Sequence, residues 1–282
     1  MRKFIVITCV IILIISGLLL YSRFIATSGL NVKEYKVVND KIIDEYHGLK
    51  IVHLSDIHFG STITENDLDH LVNKVNELNP DIVVITGDII DERISYDKNI
   101  LINYLKQIQS KLGKFAISGN HDLPLDDFNS IVEESGFTNL DNTYKLIYAN
   151  SSKPIIISGI SSNYSDSSNI GTKTAEFDSY IANLTDDIKP IYSILLIHEP
   201  DFIDSLNIDN YDLILAGHSH GGQVKLPLIK KLYTPYGAKK YYDEYYKINQ
   251  TDLYISSGLG TSKLKFRLFN RPSINFYRIT NK

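Results

Sequence analysis

The chain is 282 residues long, with a net charge of -4, 43% hydrophobic residues, one cysteine, no tryptophan and eight histidines. That composition excludes a disordered chain, a collagen-like repeat and a disulfide scaffold, and the mildly acidic balance gives no field for binding a nucleic-acid polymer. With Cys9 as the single thiol, neither an internal disulfide nor a thiolate metal cluster can form, so a metal site must draw on His, Asp, Glu and Asn.

The first element is an uncharged stretch, Phe4 to Tyr21. As a helix it measures roughly 27 Å, close to a bilayer core of about 30 Å. It is longer than the apolar part of a typical secretory signal, so residues 1–24 are expected to form an uncleaved membrane anchor. The small residues Ala26 to Ser28 leave a cleaved signal peptide open as the alternative. Arg2 and Lys3 precede the span and only Arg23 follows it closely, which predicts a single-pass protein of the cell membrane with its domain outside the cytoplasm. Residues 25–48 read as a linker with a first short strand around Tyr35 to Val38, and residues 49–282 suit one large domain.

Within that domain, five short apolar runs end in polar residues. Leu49 to Leu54 leads into Ser55-Asp56-Ile57-His58, Ile82 to Ile85 into Thr86-Gly87-Asp88, and Phe115 to Ile117 into Ser118-Gly119-Asn120-His121-Asp122. Ile194 to Ile197 leads into His198-Glu199-Pro200, and Leu213 to Ala216 into Gly217-His218-Ser219-His220. Runs apolar on both faces are the signature of strands buried in a layered sheet. In such sheets ligands gather beyond the carboxyl ends of the strands. Thr64 is positioned to cap a helix that presents Leu68, Leu71, Val72, Val75 and Leu78 on one face and stops at Pro80. Further helices are predicted at Asp97 to Lys111 and near Asp126 to Ser135. Strands at Ile155 to Ile160, Leu253 to Ser256 and Ile274 to Ile279 are expected as antiparallel additions.

A strand-end Asp or His alone is usually a cap or turn residue. Here Asp56, His58, Asp88, Asn120, His198, His218 and His220 follow five separate buried runs, so a parallel sheet would gather all seven at one edge. Burying so many unpaired polar groups is unfavourable, whereas oxygen and imidazole ligands suit first-row divalent metals. Seven ligands exceed one site, and two metals sharing a carboxylate fit them better.

In order and spacing, SDIHFG, GDIID, GNHD, HEPD and GHSHGGQ resemble the calcineurin-like metallophosphoesterase superfamily, and SSGLGTSKLKFRLFNRPSI resembles its membrane-anchored bacterial branch. The resemblance implies a four-layer α/β sandwich with two central mixed sheets flanked by helices. It implies that Asp56, His58, Asp88 and His220 hold one metal and that Asp88, Asn120, His198 and His218 hold the other, with Asp88 bridging. It also places His121 beside the phosphate as a non-ligand, with Asp122 as its orienting carboxylate. The implied reaction is hydrolysis of a phosphodiester or pyrophosphate, on a lipid-linked or cell-envelope substrate, by a hydroxide shared between the metals. A phosphomonoesterase or protein phosphatase, and a non-catalytic metal-dependent scaffold, are the rival readings. Manganese, iron, zinc and cobalt are not distinguished by these ligands.

After the last motif, Lys230, Lys231, Lys239 and Lys240 alternate with six tyrosines between Tyr233 and Tyr246. The segment reads either as a lid, with Lys239 and Lys240 attracting phosphate and the tyrosines packing on an acyl chain, sugar or membrane, or as an irregular loop. Arg267 is a candidate for reaching phosphate or for closing the fold. His53 is expected to make a core hydrogen bond, His47 and His70 to be solvated, and Asp91 to support a loop. No obligate protein partner is indicated.

Overall fold

The computed structural model describes residues 1–162, 170–185, 189–225, 233–262 and 264–281. The uncharged N-terminal stretch is helical: α1 (Arg2–Leu20) buries none of its side chains and continues into a π-helical turn at Tyr21–Ile25. Among the described residues, Arg2–Ile25 is the one helix long and apolar enough to cross a membrane. Where it ends, Ser22, Ala26 and Thr27 are buried, and the Arg267 backbone N–H donates to the Ser22 carbonyl at 3.0 Å.

Among the described residues twelve strands, numbered in chain order, form two six-stranded mixed sheets. Across the first run β1 (Asn31–Val38), β12 (Ser273–Thr280), β2 (Leu49–Leu54), β3 (Ile82–Thr86), β4 (Gly113–Ile117) and β5 (Thr138–Asn139). Across the second run β10 (Tyr245–Ile248), β11 (Thr251–Ile255), β9 (Leu213–Ala216), β8 (Ser193–Ile197), β7 (Ile155–Gly159) and β6 (Thr143–Ile147). The apolar runs are buried on both sides because alternate residues serve different layers. Ile51, Ile82, Val84 and Ile117 meet Ile155, Ile157, Ile194, Leu196 and Leu213 between the sheets. Val52, Leu54, Val83 and Ile85 instead pack on α2 (Glu65–Glu77), α3 (Lys98–Leu105) and α4 (Asp127–Glu134). On the far side, Leu195, Ile197, Ile214 and Ile255 cover Phe202, Ile203 and Ile170 at the start of α5 (Ile170–Ala182). The result is the expected four-layer α/β sandwich.

Thr64 caps α2 in a reciprocal box, accepting from the Asp67 N–H while Asp67 accepts from the Thr64 N–H at 2.9 Å, an arrangement whose loss typically costs about 1 kcal/mol. The α2 residues Leu68, Leu71, Val72 and Val75 are buried, each contributing about 1.5–3 kcal/mol as an upper bound.

Several elements depart from the sequence expectation. The stretch expected as mostly linker supplies β1, which runs parallel to β12 over its whole length. Helix α3 stops at Leu105 because Asn76 captures the chain beyond it, donating to the Gln107 carbonyl and accepting from the Gln109 N–H. Strands β7, β11 and β12 are each antiparallel to one neighbour, β6, β10 and β2, as expected, but each also pairs in parallel with a second, β8, β9 and β1. The short edge strands β5 and β6 and the helix α5 carry too weak an apolar period to be read from sequence.

His53 does sit in the core, with Nε2 2.7 Å from Thr86 Oγ1 and Nδ1 3.2 Å from Tyr277 Oη, while His47 and His70 are exposed. Burial lowers the His53 pKa to about 3. The unfolded chain therefore binds a proton that the folded chain refuses, and this stability is full above the unfolded value near 6.5 and fades as pH falls toward 3. Between pH 7 and pH 5 that loss amounts to about 2 kcal/mol. Thermal melts of the full chain in detergent at both pH values should show a smaller acid loss in His53→Gln than in wild type; equal losses would refute the assignment.

Candidate metal centre

Six parallel strand ends, those of β2, β3, β4, β8, β9 and β11, converge on one edge of the sandwich. Backbone hydrogen bonds tie them together, from Asp56 N to the Gly87 carbonyl, His58 N to the Asp88 carbonyl and Gly217 N to the His198 carbonyl. Close approach demands glycine at two of these turns. A Cβ on Gly87, at φ +83°, would meet His198 Nδ1 at 2.7 Å, and one on Gly119 would meet Asp88 Cγ at 2.8 Å. Asp56, His58, Asp88, His218 and His220 themselves adopt left-handed backbone, with φ between 44° and 63°. Non-glycine residues held there store strain, which persists only where the surroundings over-determine it and clusters at functional sites.

The seven side chains singled out in the sequence come together. Asp56, His58 and His220 form one buried group, and Asp88, His198 and His218 form a second, the potential ligand atoms within each lying within 4.8 Å of one another. Asp88 faces both, its Oδ2 lying 3.3 Å from His198 Nε2 and 3.5 Å from His58 Nε2. Its Oδ1 accepts from the His121 N–H at 2.9 Å. Asn120 and His121 line, with Asp88, a cavity of about 740 Å³ that opens over the two groups.

The imidazole tautomers test whether this set fits metal. His198 Nδ1 donates to the Thr86 carbonyl at 2.6 Å, and His218 Nε2 donates to the Tyr236 carbonyl at 2.7 Å. That leaves His198 Nε2 and His218 Nδ1, two lone pairs, facing each other at 3.2 Å, an arrangement that requires a proton or a cation between them. His58 Nδ1 lies 3.3 Å from Asp91 Oδ2, which turns Nε2 inward, as in the carboxylate–histidine–metal pattern. Both ring nitrogens of buried His58 and Asn120 Oδ1 have no hydrogen-bond partner among the described residues, the Nδ1 approach to Asp91 being an ion-pair contact. The donor set therefore fits divalent cations.

Electrostatics follow from the crowding. Burial pushes Asp56 up, with the Asp88 charge adding to it and His198 opposing. Burial would raise Asp88 as well, but His198 and His58 beside it hold it well below the usual carboxylate range. His198 is raised well above its ordinary value because Asp88 outweighs its desolvation. His218 is lowered to about 3 by burial and by His198, and His220 is lowered by burial and by His58, so both are neutral.

Four expectations are corrected by the geometry. Asp122 does not orient His121: it accepts from the backbone N–H groups of Asp88, Ile90 and Gly119 at 2.7–3.0 Å, fixing the turns that present Asp88 and Asn120. The carboxylate on His121 Nδ1 is Glu92, at 2.6 Å. Arg267 does not reach the cavity; it is fully buried and donates to the carbonyls of Ser257, Gly258, Gly260 and Asn270. Lys239 and Lys240 do not line the cavity either, since Lys239 Nζ donates to the Thr234 carbonyl and Lys240 Nζ pairs with Asp204 at 2.8 Å. Of the expected lid, Lys230 and Lys231 lie outside the described residues, Tyr245 and Tyr246 belong to edge strand β10, and Tyr233 with Pro235 lines the cavity.

Asp91 supports its loop as expected, through Arg93 at 2.5–2.7 Å, and orients His58 in addition. Glu92 and Arg93, not singled out in the sequence, both line the cavity, and Arg93 Nη2 lies 3.3 Å from His121 Nε2 and 3.0 Å from Ser262 Oγ. The available signal was their position, a charged pair directly after the Gly-Asp-x-x-Asp motif. Replacing Glu92 by Gln should lower kcat by roughly tenfold to a hundredfold, mostly for substrates with poor leaving groups, by loosening the His121 ring. Asp122→Asn should instead lower Tm and metal content. Interchanged phenotypes in leaving-group and melting series would refute the assignment.

Residues 49–222 match the family described as Calcineurin-like phosphoesterase, a span that runs from the start of β2 through the turn bearing His218 and His220. The metallophosphoesterase YkuE of Bacillus subtilis is 31% identical over 265 residues, 92% of this chain and 88% of its own length. A transmembrane protein with metallophosphoesterase domain from Danio rerio is 27% identical over 95% of this chain, which spans 61% of that protein. The UDP-2,3-diacylglucosamine pyrophosphatase LpxG of Chlamydia muridarum is 29% identical, covering 82% of this chain and 84% of its own. Since the matched span contains all seven converging side chains, this chain belongs to the calcineurin-like phosphoesterases, metal-dependent hydrolases of phosphoesters.

Proposed function

We propose that the chain is a membrane-anchored hydrolase of phosphodiester or pyrophosphate bonds that uses two divalent ions, with α1 as the anchor and the catalytic domain outside the cytoplasm. The observation that carries the two-ion reading is the position of Asp88, whose Oδ2 faces His58 of one buried group and His198 of the other. Asp56, His58 and His220 would hold one ion, His198, His218 and Asn120 the other, and Asp88 would bridge them. When bound, such ions supply a nucleophile from water near neutral pH and neutralise charge on the phosphoryl oxygens.

The chain's own residues supply the rest. Glu92 accepts from Nδ1–H of His121 and so turns Nε2 to the cavity, where the ring, when it also carries a proton on Nε2, can give that proton to the leaving oxygen, a role worth about 10²–10⁴-fold. Arg93 on the same wall is placed to pair with a non-bridging phosphate oxygen. The cavity's other wall is apolar, with Val224, Tyr233, Pro235 and Leu264. That wall and the similarity to the diacylglucosamine pyrophosphatase support an amphiphilic cell-envelope substrate.

Chelator-treated full-length protein should be inactive and regain turnover of bis(p-nitrophenyl) phosphate with manganese, with slower turnover of p-nitrophenyl phosphate. Turnover of the monoester alone would sink the diester reading, and undiminished activity after chelation would sink the metal-dependent one.

A further inference from the structure

The segment 264–271 is tied both to the end of α1 and to the cavity. Its Arg267 N–H donates to the Ser22 carbonyl at 3.0 Å. On the other side, Gln223 Nε2 donates to the Phe266 carbonyl at 2.8 Å and also to that of Leu264, and Lys225 N donates to the Leu268 carbonyl. Leu268 of this segment is buried and Phe266 half-buried, yet its other two large apolar side chains are in solvent: Leu264 is 61% exposed and Phe269 is 63% exposed. Phe269 is moreover held at φ 51°, a left-handed conformation that a bulky residue rarely adopts, so the fold accepts strain in order to present it. Lys265 and Arg271 on the same segment are exposed. Exposed aliphatic and aromatic side chains interleaved with cations match the interface of an anionic bilayer, where rings and stems enter the acyl boundary and cations meet headgroup phosphates.

We infer that residues 264–271 dip into the headgroup layer of the membrane spanned by α1, and so fix the cavity mouth at the bilayer surface. The occupant of this apolar rim is the lipid bilayer, because the segment is hydrogen-bonded directly to the membrane helix. Leu264 belongs both to the cavity wall and to the exposed rim. An acylated phosphoester can therefore bring its phosphate to the site while its chains stay in lipid. This inference rests on the anchoring of α1 proposed above.

The absence of tryptophan gives a direct test. Phe269→Trp and, separately, Leu264→Trp are placed in the full-length protein and reconstituted into vesicles of equal parts phosphatidylcholine and phosphatidylglycerol, with and without brominated acyl chains. A control, Tyr148→Trp, replaces an exposed residue beside Asp81 and Leu112 at the opposite ends of the strands. Flotation of each protein with the vesicles reports anchoring independently of the rim. The expected result is co-flotation of all three, with the rim indoles losing about half or more of their emission in brominated vesicles, from a depth of about 5–10 Å, and the control losing none. Co-flotation with both rim indoles unquenched, or with the control quenched equally, overturns the inference while leaving the anchor intact. Failure to float overturns both.

Discussion

Replacing Asp88 by Asn should lower kcat/KM by about a thousandfold or more while leaving the fold in place. The magnitude follows from charge: a unit charge about 4 Å from another, at an effective dielectric near 20, is worth about 4 kcal/mol, or roughly three orders of magnitude. Asp88 faces two candidate cation positions at once. Asn keeps the shape and can still accept the His121 N–H that Oδ1 receives, so local backbone order should survive. The substitution also removes the charge that raises His198, so the metal-free variant should show a lower His198 pKa in a pH titration followed by NMR. Bound metal, counted by elemental analysis, should fall together with activity on bis(p-nitrophenyl) phosphate. A variant that keeps more than a tenth of wild-type turnover and a full metal complement would remove the two-ion reading.

Much of this site was legible because buried strands announce themselves as apolar runs and because the groups that matter follow them immediately. Asp56, Asp88, Asn120, His198 and His218 each sit within three residues of a strand end, so a parallel sheet converts their separation in sequence into adjacency in space. What escaped was whatever depends on contacts between distant turns. Glu92 and Asp122 are both acidic and both near His121 in the chain or the fold, and nothing in their spacing tells which one reaches Nδ1; the Gly119 turn, buried under Asp88, points Asp122 at three backbone N–H groups instead. The parallel partners of β7 and β11 were equally hidden, because each lies beside a strand brought alongside it only by the assembled sheet. The left-handed backbone at five of the candidate ligands has no sequence signature beyond the tolerance of Asp and His for it.

Arg267→Ala should destabilise the protein by about 3–5 kcal/mol, a fall in Tm of roughly 10 °C, which is more than any single cavity-lining substitution should cost. The guanidinium is fully buried, and its pKa, drawn down to about 10 by burial and supported by Asp56, still leaves it charged at neutral pH. It holds four carbonyls with N···O distances of 2.6–3.3 Å. Three of them belong to the turn after β11, where the N–H groups of Leu259 and Gly260 donate to the Asp56 carbonyl. Removing the fork takes the guanidinium donors from the buried Ser257, Gly260 and Asn270 carbonyls, leaves the Gly258 carbonyl only the Ser273 N–H, and opens a cavity beside His220, whose Nδ1 lies 3.5 Å away. Lysine offers three donors from one point and cannot span four acceptors, so Arg267→Lys should recover only a minor part of the loss. A substrate-contacting arginine would behave in the opposite way, raising KM with little change in Tm, and lysine would rescue its charge. Melting curves and Michaelis constants of the two variants therefore separate the roles: an unchanged Tm with an elevated KM would return Arg267 to the phosphate, whereas a large fall in Tm assigns it to the turn that carries Asp56.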